Sequence, residues 1–270
     1  MEALFESLQI MEHIMAMTFG LPRIFVAITI LPFMASQILT GQLKFCIAIA
    51  LYFVLHPLML DEAKALSWTE YHFLFIVLVI IKEALIGFFI GLLVGILFWA
   101  IQSAGFFIDN QRGLTQAMES DPLSGEQTSP LGSFFFQGIV YIFFSGGAFL
   151  VFLQFLYASY ILYPVREFIP LSVFTNENFP IIFAGQVGYL MQIMLLFSAP
   201  IIVACLLTDI SLALINRFAS QLNVYILAMP IKSGIVAFLL IFYFALLVKG
   251  FSPILNNIFQ QIEKQLTIIL

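Results

Sequence analysis

Six long apolar runs decide what this chain can become. They fall at 14–33, 43–60, 73–101, 134–162, 181–207 and 235–248. Apolar stretches of roughly 17 to 25 residues cross a hydrocarbon core as helices, and no alternating strand pattern competes with them. A chain with 62% hydrophobic and 9% charged residues, 32 of them Phe, lies far from soluble domains, where about a quarter of residues are charged. The expectation is an all-α, integral-membrane-type protein with about six helical segments. The two cysteines, Cys46 and Cys205, sit inside apolar runs, where a thiol acts as a small hydrophobe.

The exception is 105–132, GFFIDNQRGLTQAMESDPLSGEQTSPLG, the longest polar run. Its prolines and glycines predict a loop between apolar helices. A polar loop in that setting is tolerated only where protein or water surrounds it. Gly105 and Gly125 are candidate hinges for such a loop, and Asp109 and Arg112, three apart, are placed to pair.

Charges inside the apolar runs are the second signal. Arg23 lies between Pro22 and Pro32, which predict a kink in the first segment, and Pro57 predicts an end or kink in the second. Trp68, Tyr71 and His72 suit an interfacial anchor. An Arg in hydrocarbon needs a partner or a wet cavity. Lys82 and Glu83 are neighbours, so on a helix they do not face each other and each is expected to find a partner elsewhere. Gly87, Gly91 and Gly95 form one smooth stripe, open to packing either within the chain or against another subunit. Asp209, Asn216 and Asn223, seven apart, share a face, as a packed polar seam or as the wall of an aqueous path. Arg217 and Lys232 lie nearby and also need satisfying.

The net charge of -5 excludes ordinary nucleic-acid binding, which needs a basic face. The N-terminus has no basic residue before its first apolar run and is not expected to be a cleaved signal. No HExxH, P-loop or nucleophile elbow occurs, so the chain reads as a non-enzyme with no cofactor or metal. With six crossings, Lys64, Arg166, Lys249 and Lys264 fall on one side and Lys44, Arg112, Arg217 and Lys232 on the other. The positive-inside bias therefore gives no orientation, and helical hairpins packed against other proteins are the better expectation.

Taken together, LPRIFVAITILPF, KEALIGFFIGLLVG, IDNQRG with DPLSGEQTSPLG, and TDISLALINRFASQLNVYILAMPIKSG resemble the export-gate subunit of bacterial type III secretion systems, the SctT/SpaR family with its flagellar relative FliR. The resemblance covers nearly the whole chain. It implies bent helical hairpins in a hetero-oligomeric, helical gate at the bacterial inner membrane, much of it on the periplasmic side, that passes unfolded polypeptides. The implied partners are two smaller sister subunits in several copies and the autocleaving switch subunit. The resemblance also divides the chain into 1–162 and 163–270, each part like one sister subunit. It makes Ile108, Asp109, Asn110, Gln111, Arg112 and Gly113 the plug that closes the conduit. IDNQRG points to an injectisome over a flagellum. The competing reading is a small-solute secondary transporter with broken helices.

Overall fold

The computed structural model describes residues 10–34, 39–64, 73–114, 129–167, 178–219, 224 and 226–243. Among these the regular structure is helical throughout, with no strand. The long helices are α1 (Ile10–Ile30), α2 (Gly41–Lys64), α3 (Phe73–Gln111), α4 (Pro130–Ser145), α5 (Ala148–Leu162), α6 (Asn178–Phe218) and α7 (Ile226–Tyr243). A short 3-10 turn, Pro32–Met34, follows α1. Among the described residues five helices are long and apolar enough to cross a membrane, or six if α4 and α5 are taken as one broken span.

The breakers act in different ways. Pro22 lies within an unbroken α1 and Pro57 within an unbroken α2. Neighbouring helices and local adjustments can compensate a missing N–H in such segments. The expected single run 134–162 is instead two helices parted at Gly146 and Gly147, where Gly147 has φ 77°, a left-handed conformation that L side chains avoid. α6 passes straight through Pro200, and α7 begins at Ile226, ahead of the expected 235. The largest correction concerns 105–132. Its first part is helix, because α3 continues to Gln111 and stops only where Gly113 takes φ 85°, as a glycine after a helix C-terminus commonly does. Trp68, Tyr71, His72, Gly125 and Asn223 lie outside the described residues.

The described residues form two compact units. The first takes in those up to Gly95 and those between Phe149 and Pro180; the second takes in those between Ile96 and Ala148 and from Ile181 onward. Each unit thus takes in two separate stretches of the described chain.

In the first unit α1 packs along α2, and α1 also meets α3 at the glycine stripe. A Cβ on Gly91 would stand 2.7 Å from the Ala27 carbonyl oxygen, and one on Gly87 would overlap the Arg23 carbonyl. These two glycines therefore serve packing inside the chain. Gly87→Val forces the α1 and α3 backbones apart, and overpacking of this kind costs about 1–3 kcal/mol or more. The expected result is a clear fall in the melting temperature of the purified protein, with Gly185→Val, at a position with nothing within 4 Å, as the mild control. In the second unit Phe98 and Phe143, both fully buried, meet edge to face at 5.2 Å, with Phe135 and Ile139 in the same core.

Candidate functional site: two buried polar centres

The first centre lies in the first unit around Arg23, which is 0% exposed. Its Nε donates to Glu83 Oε2 at 2.7 Å, Nη1 to Ser159 Oγ at 3.0 Å and Nη2 to the Tyr163 carbonyl at 2.9 Å. The guanidinium carbon sits 4.0 Å from the Tyr160 ring centroid, a cation–π contact, and the Tyr160 hydroxyl donates to the Gly20 carbonyl at 2.5 Å. Burial pushes the Tyr163 phenol above its ordinary value, with Arg23 acting in the opposite direction, so the ring stays neutral.

Lys82 and Glu83 do pair, contrary to the expectation from their adjacency. Lys82 Nζ is 2.8 Å from Glu83 Oε1, because its four-carbon stem bends back while Oε2 is held by Arg23. All three ammonium hydrogens are accounted for elsewhere: Nζ donates to the carbonyls of Pro164, Val165 and Glu167 at 3.1, 2.9 and 3.1 Å. Its attraction to Oε1 is therefore Coulombic, in keeping with the absence of a hydrogen-bond partner for that oxygen among the described residues. Arg166 and Glu62 add a half-exposed pair at 2.8 Å. Glu83, fully buried, is the one carboxylate among the described residues that serves two cations, and those cations fix the chain leaving α5.

The second centre lies in the second unit, at the junction of α3 and α4. Asp109, 1% exposed, stands two residues before the end of α3. Its Oδ2 accepts from Ser129 Oγ at 2.5 Å and from the Leu131 backbone N–H at 2.9 Å. Ser129 caps α4, its Oγ also accepting from the Gly132 N–H at 2.8 Å, with Pro130 opening the helix. The Asp109 carboxylate thus faces the N-terminal amides of α4, where the helix dipole favours an anion. Its Oδ1 is 2.6 Å from Arg112 Nη2, a contact of charge, while Arg112 Nε, buried, has no hydrogen-bond partner among the described residues. Lys232 on α7 donates to the Gln111 carbonyl at 3.1 Å and pairs with Asp209 on α6 at 2.5 Å, so a cation meets the C-terminal carbonyls of α3.

Glycines allow the two helices to come this close. A Cβ on Gly105 would stand 2.5 Å from Gly132 N, and one on Gly132 would be 3.0 Å from the Gln102 carbonyl oxygen. Gly105, expected as a loop hinge, is a contact position inside α3. Of the IDNQRG residues, Ile108 and Asp109 are buried, Gln111, Arg112 and Gly113 are half-buried, and Asn110 is exposed.

The structure brings Arg23, Lys82 and Glu83 together, and separately Asp109, Arg112, Asp209 and Lys232. It does not place Asn216 and Arg217 in a buried seam: both are exposed on α6. Sequence reasoning missed Ser159, Tyr160 and Ser129. Only Ser129 carried a local signal, a Ser directly before Pro at a helix start.

Comparison with known proteins places this arrangement. The family model described as bacterial export proteins, family 1, matches residues 14–258. The chain is 38% identical over 235 residues to Yop proteins translocation protein T of Yersinia pestis, covering 87% of each chain. It is 30% identical over 231 residues to surface presentation of antigens protein SpaR of Salmonella typhimurium, covering 84% of this chain and 81% of the relative. It is also 30% identical over 182 residues to flagellar biosynthetic protein FliR of Bacillus subtilis, covering 67% and 68%. The family is one of export-apparatus components and not of enzymes. With its apolar helices, its buried charge centres and a match over nearly its whole length, the chain belongs to bacterial export proteins, family 1, the type III secretion export-apparatus family that its motifs resemble.

Proposed function

We propose that this chain is a core subunit of a type III export gate in the bacterial inner membrane. There it forms part of the conduit for unfolded polypeptide, and the tip of α3, Asn110 to Gly113, closes that conduit at rest. Ile108 and Asp109 anchor the tip. The observation that carries the reading is the Asp109 tie: one buried carboxylate holds the end of α3, the start of α4 and Arg112, so a polar tip is fixed rigidly at the edge of an apolar unit. A tip held this way can resist a pressure of ions and yet be released by breaking one small set of contacts. The partners that fit are the two smaller sister subunits and the switch subunit, with much of the assembly on the periplasmic side. Support for partners comes from α6 and α7, whose spanning windows are only 28% and 11% buried within this chain.

The test is cross-linking from the tip. A photoreactive residue at Asn110 or Gln111 should trap an export substrate stalled in the assembled complex, whereas one at exposed Phe218 should not. A tip that never cross-links to a stalled substrate or a sister subunit, in a complex that assembles normally, contradicts the reading. A chain that purifies alone and drives uptake of a small solute into vesicles would establish the secondary-transporter alternative instead.

A further inference from the structure

Neither buried centre uses the two histidines of the first unit, His13 on α1 and His56 on α2. Nδ1 of His13 is 2.9 Å from Nε2 of His56, with ring centroids 5.1 Å apart and planes 18° apart. On its other side His56 Nδ1 is 3.0 Å from the Tyr52 hydroxyl. Tyr52 is buried and its ring is fixed against α1, since a Cβ on Gly20 would stand 2.5 Å from Tyr52 Cε2. His56 is half-buried and His13 is exposed. A three-membered polar chain therefore joins two apolar helices and is exposed at its His13 end.

Counting protons along this chain shows what it can sense. A neutral imidazole has one donor nitrogen and one acceptor nitrogen. With both rings neutral, one nitrogen of the facing pair donates and the other accepts, and the Tyr52 hydroxyl completes the chain in either direction. One added proton also fits, carried on the outer His13 Nε2: His13 Nδ1–H still donates to His56 Nε2 while His56 Nδ1–H donates to the Tyr52 oxygen. A second proton does not fit, because it sets two N–H donors and two positive charges against each other at hydrogen-bond distance.

We propose that His13 and His56 form a proton-operated latch between α1 and α2, closed with up to one proton and opened by the second. Beside His13 on α1 is Glu12, whose buried Oε2 has no hydrogen-bond partner among the described residues. Further along α2 lie the charges of Asp61, Glu62 and Lys64, of which Glu62 is held by Arg166. From α5 come the Tyr157 and Tyr160 hydroxyls, which donate to the Leu51 and Gly20 carbonyls.

The experiment is a pH-dependent distance measurement on the full chain within its purified complex. Spin labels go at Ile14→Cys and Leu58→Cys, both exposed positions, with Cys46 and Cys205 replaced by Ser. Between pH 7.5 and pH 5 the α1–α2 distance should lengthen by several ångströms and return on neutralisation. His13→Gln and His56→Gln should each abolish the change. Should His56→Gln fail to assemble, His13→Gln decides alone, since its side chain is exposed. A distance that stays constant with both histidines present, or one that shifts equally in His13→Gln, overturns the latch.

Discussion

Replacing Glu83 with Ala should nearly abolish accumulation of the protein in membranes. The carboxylate is fully buried and faces two cations, Arg23 at 2.7 Å and Lys82 at 2.8 Å. Removing it leaves the Arg23 guanidinium, itself 0% exposed, uncompensated. Losing one partner of a buried pair costs about 3–5 kcal/mol, a large share of the roughly 5–15 kcal/mol that separates folded from unfolded states. Lys82 keeps its three carbonyls, so Arg23 bears most of the loss. A combined Arg23→Met, Lys82→Met, Glu83→Leu variant should accumulate better than Glu83→Ala, because replacing a whole buried network with apolar side chains is often neutral or stabilising. Quantitative immunoblotting of membrane fractions separates the two. Equal loss in both variants would mean that the network is needed for more than charge compensation.

The need for that network was visible in the sequence, but its partners were not. Arg23 and Glu83 stand out because each interrupts an apolar run. Their pairing joins residues 60 apart, and Ser159 and the Tyr163 carbonyl are 136 and 140 residues from Arg23, distances at which local pattern carries no information. The Lys82–Glu83 contact was misjudged because helix spacing rules describe where side chains start, and a lysine stem long enough to curl back escapes them. Glycine was the other source of error. Gly113 ends α3 by its backbone conformation, whereas Gly105 belongs to the helix and exists for the approach of Gly132; in sequence the two look alike. Likewise Gly87 and Gly91 left open an interface within the chain or between chains, and only the position of the Arg23 and Ala27 carbonyls decided it. The long apolar segments were readable from local periodicity, and the Asp109–Arg112 pair from its short separation, although that stretch was expected as a loop and its start is helix. The exposure of Asn216 and Arg217 was not, because a polar stripe on a helix looks the same whether it is covered or bare.

Asp109 ties the end of α3 to the start of α4. Changing it to Ala withdraws the acceptor of Ser129 Oγ and the Leu131 N–H and the counter-charge of Arg112, which is only 15% exposed. A buried donor left without a partner costs about 1–3 kcal/mol, and the unpaired guanidinium adds to it. The loss falls on the one junction that holds the tip of α3. Asp109→Asn keeps an acceptor for the Leu131 N–H but loses the charge, and should be intermediate.

Phe98→Ala provides the control for general damage. It opens a cavity in the core of the same unit at a cost of about 3–5 kcal/mol while leaving every contact of Asp109 in place. The decisive measurement is ion conductance across planar bilayers holding the fully assembled gate, with wild-type, Asp109→Ala and Phe98→Ala chains compared at equal protein content. A plug anchored by Asp109 predicts a closed wild-type gate, a several-fold rise in conductance for Asp109→Ala and little change for Phe98→Ala. A closed Asp109→Ala gate of normal composition, or equal leaks in both variants, would contradict it.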